Sequence, residues 1–475
     1  MIHESQLPRS CDRCHSLKER CRRANSINSC ERCTRLRLTC TSNRPFKRPG
    51  RRPQPYHIQG ARRQRGSESL DPAVDISEGR KGDILAIFNI PEKLSEEEAW
   101  LVHRTLANNS FIEQFLLGPS FCNAHRKSLF SQLCKAPALL QDAYVACVLS
   151  VPYPGEDPSG TLTEQRLDSS YRRASAALAK LRTLKVENAS DVSSCLALGG
   201  SILTFVLRFG GKDSLAICSR VLGLIRPVYE SHTNKLPDAD LGFLACVVMC
   251  ETTECLLQTE LPTLRFRPQP LESSEYVDRY VGLCGTLLPH LHELCHLSFA
   301  MFHSTEAKEE VMGELQKLKT TIEAWRPIVP PNFTESYTTS EVTNILCQTH
   351  VMQLAALLII HRMQHPFGTE QIAALSMANT ILRQLEVAKM VAGRTPRCID
   401  FALMAACLEV SDGKERSDQL RSASSIAVYS PRFIQRSETF ISAVWEARSL
   451  KQSPIYWYHL GLVTKHVNVA ELSAI

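Results

Sequence analysis

From about Ser95 to Ile475 the chain keeps one rhythm. Segments of roughly 12–25 residues carry apolar side chains at helical spacing, and clusters of Pro, Gly, Asn and Asp separate them. This spacing predicts helices near 122–150, 164–186, 239–259, 273–303, 305–325, 338–364 and 369–392. Ser95-Glu-Glu-Glu98 has the form of a capping box, as does Thr161–Glu164, and each is expected to open a helix. Alternating apolar and polar runs are scarce. The expectation for 95–475 is therefore a large all-α domain, its ~380 residues being enough for one large or two ordinary domains.

Two stretches imitate heptads: Leu167, Tyr171, Ala174, Leu178, Leu181, and Val311, Leu315, Leu318, Ile322, Trp325. Each lasts about two heptads, short of the three to four that support a coiled coil, so both are expected to be core faces of packed helices. A homodimer is possible, but no coiled coil announces one. The apolar run Val351–Ile360 is too short to cross a bilayer, which needs about 20 apolar residues. Segment 192–208 is interrupted by Ser193, Ser194, Gly199, Gly200 and Ser201. Both are expected to be buried helices, with no membrane involved.

Before Ser95 the rhythm stops. Residues 41–66 hold eight Lys and Arg, no acid, and prolines at 45, 49, 53 and 55. Such a segment cannot bury a core, and 41–94 reads as a flexible, disordered basic linker. Its RPFKRPGRRP stretch suits nuclear import or a minor-groove contact. Residues 1–66 contain 17 basic and 4 acidic residues, against 38 and 45 in the remainder. The overall +6 thus divides into +13 and −7, a polarity suited to phosphate neutralisation by the amino-terminal part.

Residues 1–10 read as a disordered tail. After it, six cysteines repeat one pattern: Cys11, Cys14 and Cys21, then Cys30, Cys33 and Cys40, each 19 positions on. Zinc prefers thiolates in a tetrahedron, and two intervening residues let neighbouring sulfurs face one metal. Each half supplies three donors where a metal needs four. The shortage disappears if two sulfurs are shared, and the lead cysteines Cys11 and Cys30 are the natural bridges. One zinc would then take Cys11, Cys14, Cys21 and Cys30, and the other Cys30, Cys33, Cys40 and Cys11. Two rivals are a disulfide framework and a single-zinc ribbon on Cys11, Cys14, Cys30 and Cys33. No apolar signal segment precedes the first cysteine, and the ribbon leaves Cys21 and Cys40 unexplained.

CDRCHSLKERC, an eight-residue loop and CERCTRLRLTC together resemble the fungal binuclear zinc cluster (Zn2Cys6) DNA-binding domain over residues 11–40. The loop Arg22–Ser29 departs from that family in lacking its frequent proline. The resemblance implies a small cluster with two short helices, the first entering the major groove. It implies that Lys18 reads guanine edges of CGG-type triplets and that Arg20 faces phosphate. His15 and Leu17 stand where many members carry a cation. Arg13, His15, Arg22, Arg23, Arg51 and Arg52 complete the expected DNA contacts. It also implies a helical regulatory region after the linker, a nuclear protein, double-stranded DNA as partner and contacts with the transcription machinery or coactivators. The expected function is zinc-dependent, sequence-specific regulation of RNA polymerase II genes. An activator of a secondary-metabolite gene cluster is the leading form; a repressor or a regulator of primary metabolism is the alternative.

His292-Glu293-Leu294-Cys295-His296 fits the H-E-x-x-H of zinc peptidases. Residues 299 and 302 are both Phe, so no glycine and third histidine follow at metzincin offsets. The motif is expected to be an ordinary amphipathic helix, and the chain not an enzyme. A protein-interaction module built on the cysteines is the other alternative. Among the thirteen later cysteines, Cys246, Cys250 and Cys295 fall on apolar faces and are expected to act as small hydrophobes.

Overall fold

Helices begin where a side chain can accept the free N–H groups of a first turn. In the computed structural model Ser95, Asn188 and Thr338 do so reciprocally with Glu98, Asp191 and Glu341. Residues 11–12, 14, 21–22, 29–41, 94–151, 163–231, 236–268, 277–304, 308–410, 430–450 and 454–463 are described. The chain divides into two units, Met1–Asp75 and Ile76–Ile475.

In the first unit the described helix is α1, Glu31–Arg35, with Cys30 as its N-cap. The described secondary structure of the second unit is helical. In chain order it holds α2 (Glu96–Ala107), α3 (Cys122–Lys135), α4 (Pro137–Ser150), α5 (Glu164–Thr183), α6 (Ala189–Arg208), α7 (Ser214–Glu230) and α8 (Asp238–Gln258). It continues with α9 (Leu288–His303), α10 (Lys308–Ala324), α11 (Thr339–Gln364), α12 (Gln371–Ala392), α13 (Asp400–Cys407) and α14 (Pro431–Ser449). Among the described residues no β-strand forms; Asp278 and Gly282 make an isolated bridge. The large all-α expectation holds.

One hydrophobic core runs from Leu101 to Leu460. Helix α4 is buried from Leu140 to Ser150 and packs on α5 and α6. Helix α6 carries the packing on to α7 and α8, and α8 to α9. At the other end α11 lies against α10, α12 and α13. By length and composition α6 and α11 could each cross a membrane, but 56% and 67% of their most apolar windows are buried in the unit, as expected of core helices.

Several boundaries differ from expectation. The span 122–150 is two helices, because Pro137 has no N–H to continue the first and instead opens the second. The span 273–303 shortens to Leu288–His303. Ahead of it Gly282 adopts a left-handed φ of 57°, and Cys284–Thr286 makes a separate short turn. Helix α5 is capped by Thr163, whose hydroxyl accepts from the Arg166 N–H.

Helix α5 buries a wider face than its apolar residues mark: Ala174 and Leu181 are buried as expected and Leu178 packs on the core, but polar residues join them. Tyr171 is exposed, whereas Arg166, Ser170, Arg173, Ala177 and Leu181 are buried. Arg173 places Nη2 2.8 Å from Glu98 and Nη1 2.8 Å from Asp142, and Lys180 reaches Asp142 at 2.6 Å. Arg166 donates to the carbonyls of Leu149 and Val151. Cation and partners enter the core together, and the small Ser170 and Ala177 let α4 come close. The second pseudo-heptad behaves as expected: Leu315, Leu318, Ile322 and Trp325 are buried.

Candidate metal centre

The 19-residue displacement in sequence becomes a repeat in space. The Cys14 N–H donates to Cys11 Sγ at 3.4 Å, and the Cys33 N–H to Cys30 Sγ at 3.4 Å. The Cys11 N–H donates to Cys21 Sγ at 3.3 Å, and the Cys30 N–H to Cys40 Sγ at 3.3 Å. Two further backbone bonds join the ends of the motif: Asp12 N–H to the Thr41 carbonyl at 2.8 Å, and Glu31 N–H to the Arg22 carbonyl at 3.0 Å. Cys11, Cys14, Cys30 and Cys33 are buried, with Cys21 and Cys40 packed against them.

The sulfurs fall into two groups of four, Cys11, Cys14, Cys21, Cys30 and Cys11, Cys30, Cys33, Cys40. Within each, all donor atoms lie within 4.8 Å of one another. Cys11 and Cys30 belong to both. Sγ–Sγ distances are 3.8 Å for Cys11–Cys30, 3.7 Å for Cys11–Cys33 and 3.7 Å for Cys14–Cys30. Zinc–sulfur bonds of about 2.3 Å at the tetrahedral angle separate neighbouring sulfurs by roughly 3.8 Å. The described sulfurs are thus spaced as edges of two tetrahedra sharing one edge, and each group supplies four donors. A disulfide needs about 2.05 Å, and none of the six cysteines is in one. The groups could hold metal ions.

The shared sulfurs are also the ones driven toward thiolate. Burial opposes ionisation of Cys11, yet the Cys14 N–H and the neighbouring thiols bring it down to about 6. For Cys30 the Cys33 N–H leads, and its thiol is lowered as well. Cys33 is pushed up to about 12, first by its hydrogen bond to Cys30, and Cys14 is raised by its bond to Cys11. A bridging thiolate serves two cations at once, so charge gathers where two metals would share it.

Of the expected DNA contacts, Arg22 is described: its side chain is exposed while its carbonyl ties down α1. Arg13, His15, Lys18, Arg20, Arg23, Arg51 and Arg52 lie outside the described residues, as does the linker between 41 and 94. Sequence reasoning overlooked the N–H···S bonds. The equal Cys-x-x-Cys steps were their only available trace.

Among the described residues, His292, Glu293 and His296 do not form a metal-competent group. They lie on α9, where Glu293 pairs with Arg265 and approaches His290 at 3.6 Å. Burial lowers His292 to about 4. Cys295 is buried among the core residues, as expected.

Among its described residues the second unit is a large helical domain without a strand. A family model described as the fungal specific transcription factor domain matches residues 216–470, more than half of the chain. The chain belongs to that family, and it is a regulator of transcription. No curated protein and no solved structure matches it.

Proposed function

We propose that the chain is a zinc-dependent, sequence-specific DNA-binding regulator of RNA polymerase II genes. Its parts would be a tail (1–10), a binuclear zinc cluster (11–40), a basic linker (41–94) and an all-α regulatory domain (95–475). The observation that carries the reading is the pair of four-sulfur groups sharing Cys11 and Cys30. Four sulfurs per metal leave no open coordination position, so zinc there would hold the fold together and activate no water. Cys11, Cys14, Cys21, Cys30, Cys33 and Cys40 would keep the first helix rigid enough to enter a major groove. Lys18 would then donate to guanine O6 and N7 of a CGG-type triplet, and Arg20, Arg22, Arg23, Arg51 and Arg52 would face phosphate. Arg13 and His15 would flank the same groove.

A nuclear protein follows from this role, with the basic linker as its import signal. The helical domain would pass a regulatory state to coactivators or the transcription machinery. Activation of a secondary-metabolite gene cluster is the preferred form, and homodimerisation would pair two triplets. Family membership favours a regulator over a catalyst. Selection from random duplexes by the zinc-loaded full chain tests the reading: CGG-containing sites should be enriched, and a chelator should abolish enrichment. Enrichment of no motif would refute it.

A further inference from the structure

An unassigned feature of the helical unit is a cavity of about 200 Å³, partly open to solvent. By that measure a single water needs only roughly 10–15 Å³, and interiors seldom keep larger voids. The space exists because the facing residues are small. Gly200, Ser201 and Thr204 on α6 oppose Cys246 and Cys250 on α8, where bulkier side chains would close it. Cys246, Cys250, Cys398 and Asp400 are deep within the unit yet retain accessible surface. All four line the cavity.

Aromatic rings line much of the wall, among them Phe115, Phe243, Tyr280, Phe401 and Phe433. Polar lining groups include Thr253 and Glu254 on α8, and Arg397 and Asp400 on the segment that leads into α13. There Cys398 holds a left-handed φ of 53°, which costs a residue with a side chain appreciable strain and is concentrated at binding sites. Burial pushes the Asp400 carboxyl up and keeps His125 neutral, lowering it to about 3. His125 therefore presents no positive charge to a ligand near neutral pH, and the mostly apolar wall favours a largely uncharged one.

We propose that this cavity is a binding site for an uncharged, largely apolar small molecule that carries an aromatic or fused-ring body and one hydrogen-bonding group directed at Arg397–Asp400. The site lies wholly within the helical unit. It depends neither on the cysteine cluster nor on DNA binding, so it can fail without them and they without it.

The probe is N-phenyl-1-naphthylamine, an uncharged two-ring fluorophore, titrated against the full chain. The expected result is saturable enhancement at one probe per chain. The sulfonated analogue 1-anilinonaphthalene-8-sulfonate should bind at least tenfold more weakly. Thr204→Phe and Cys250→Leu fill the space from two different helices. Each should weaken probe binding at least tenfold while the circular dichroism spectrum and melting midpoint are retained. In the unaltered chain, saturating probe should also slow N-ethylmaleimide labelling of Cys246, Cys250 and Cys398, read by mass spectrometry. Non-saturable binding, undiminished binding in a folded variant, or equal binding of the sulfonate would overturn the proposal. If neither variant folds, absence of thiol protection overturns it.

Discussion

At the scale of single residues, position in the sequence and chemical environment carry different information. The six ligand-type cysteines were legible because metal geometry leaves a mark on spacing: two residues between first and second, six between second and third. That two sulfurs would be shared followed from counting donors, and the lead position in each half pointed to Cys11 and Cys30. The N–H groups that push Cys11 and Cys30 toward thiolate were not legible, since backbone direction leaves no residue type behind. Lys18 is where the DNA reading is most exposed to test. Lys18→Ala should cost about 1–3 kcal/mol on the specific site and much less on random DNA. Equal losses in titrations on both would remove its base-reading role. His125 offers a test of the interior. Its folded value of about 3 lies below the ordinary 6.5, so unfolding takes up a proton between those values. Stability from this group is complete above pH 6.5 and falls as the pH drops toward 3, by up to ~1.4 kcal/mol per unit. Denaturation midpoints measured at pH 7.5 and 5 should fall less for His125→Gln than for the parent chain. Parallel profiles would show that His125 is not held neutral.

At the scale of elements, helical type was legible and exact faces were not. Period-3.6 spacing found α9 to α12, and proline and glycine explain where the expected ends were wrong. Helix α7 was not among the expected helices; Gly223 and Pro227, residue types that disfavour a helix interior, both lie within it. Helix α5 misled because arginine counts as a surface residue in any pattern, while Arg166 and Arg173 are buried against acceptors brought by distant segments. The same principle ties α11 to the chain after α13. Arg362 and Glu409 are both fully buried, with Nη2–Oε2 at 2.6 Å and Nε–Oε1 at 2.7 Å. Removing one partner strands the other charge, so Arg362→Met should destabilise the helical unit by about 3–5 kcal/mol. Adding Glu409→Leu should recover much of that loss. All four tryptophans (100, 325, 445 and 457) belong to this unit, so their fluorescence during denaturation reports it directly. A double variant as unstable as the sum of its parts would mean that the two side chains act independently.

At the scale of the whole molecule, division of charge was the most informative property of composition. A basic amino-terminal part and an acidic remainder support the proposed division between phosphate contact and regulation. Arg51→Ala should weaken binding to every DNA sequence about equally and reduce the slope of log affinity against log salt by about one. A loss confined to one sequence would place Arg51 on a base instead. The cavity was illegible beforehand, because an absence of side-chain volume is shared among helices far apart in the chain. The family of the helical region was equally diffuse in sequence, carried by an arrangement of apolar faces with no motif. The account stands or falls on the metal content. Native mass spectrometry of the full-length chain should find two zinc ions and all cysteines reduced, both ions leaving together with DNA binding when a chelator is added. A single ion, no ion, or mass losses from sulfur–sulfur bonds among the first six cysteines would contradict it.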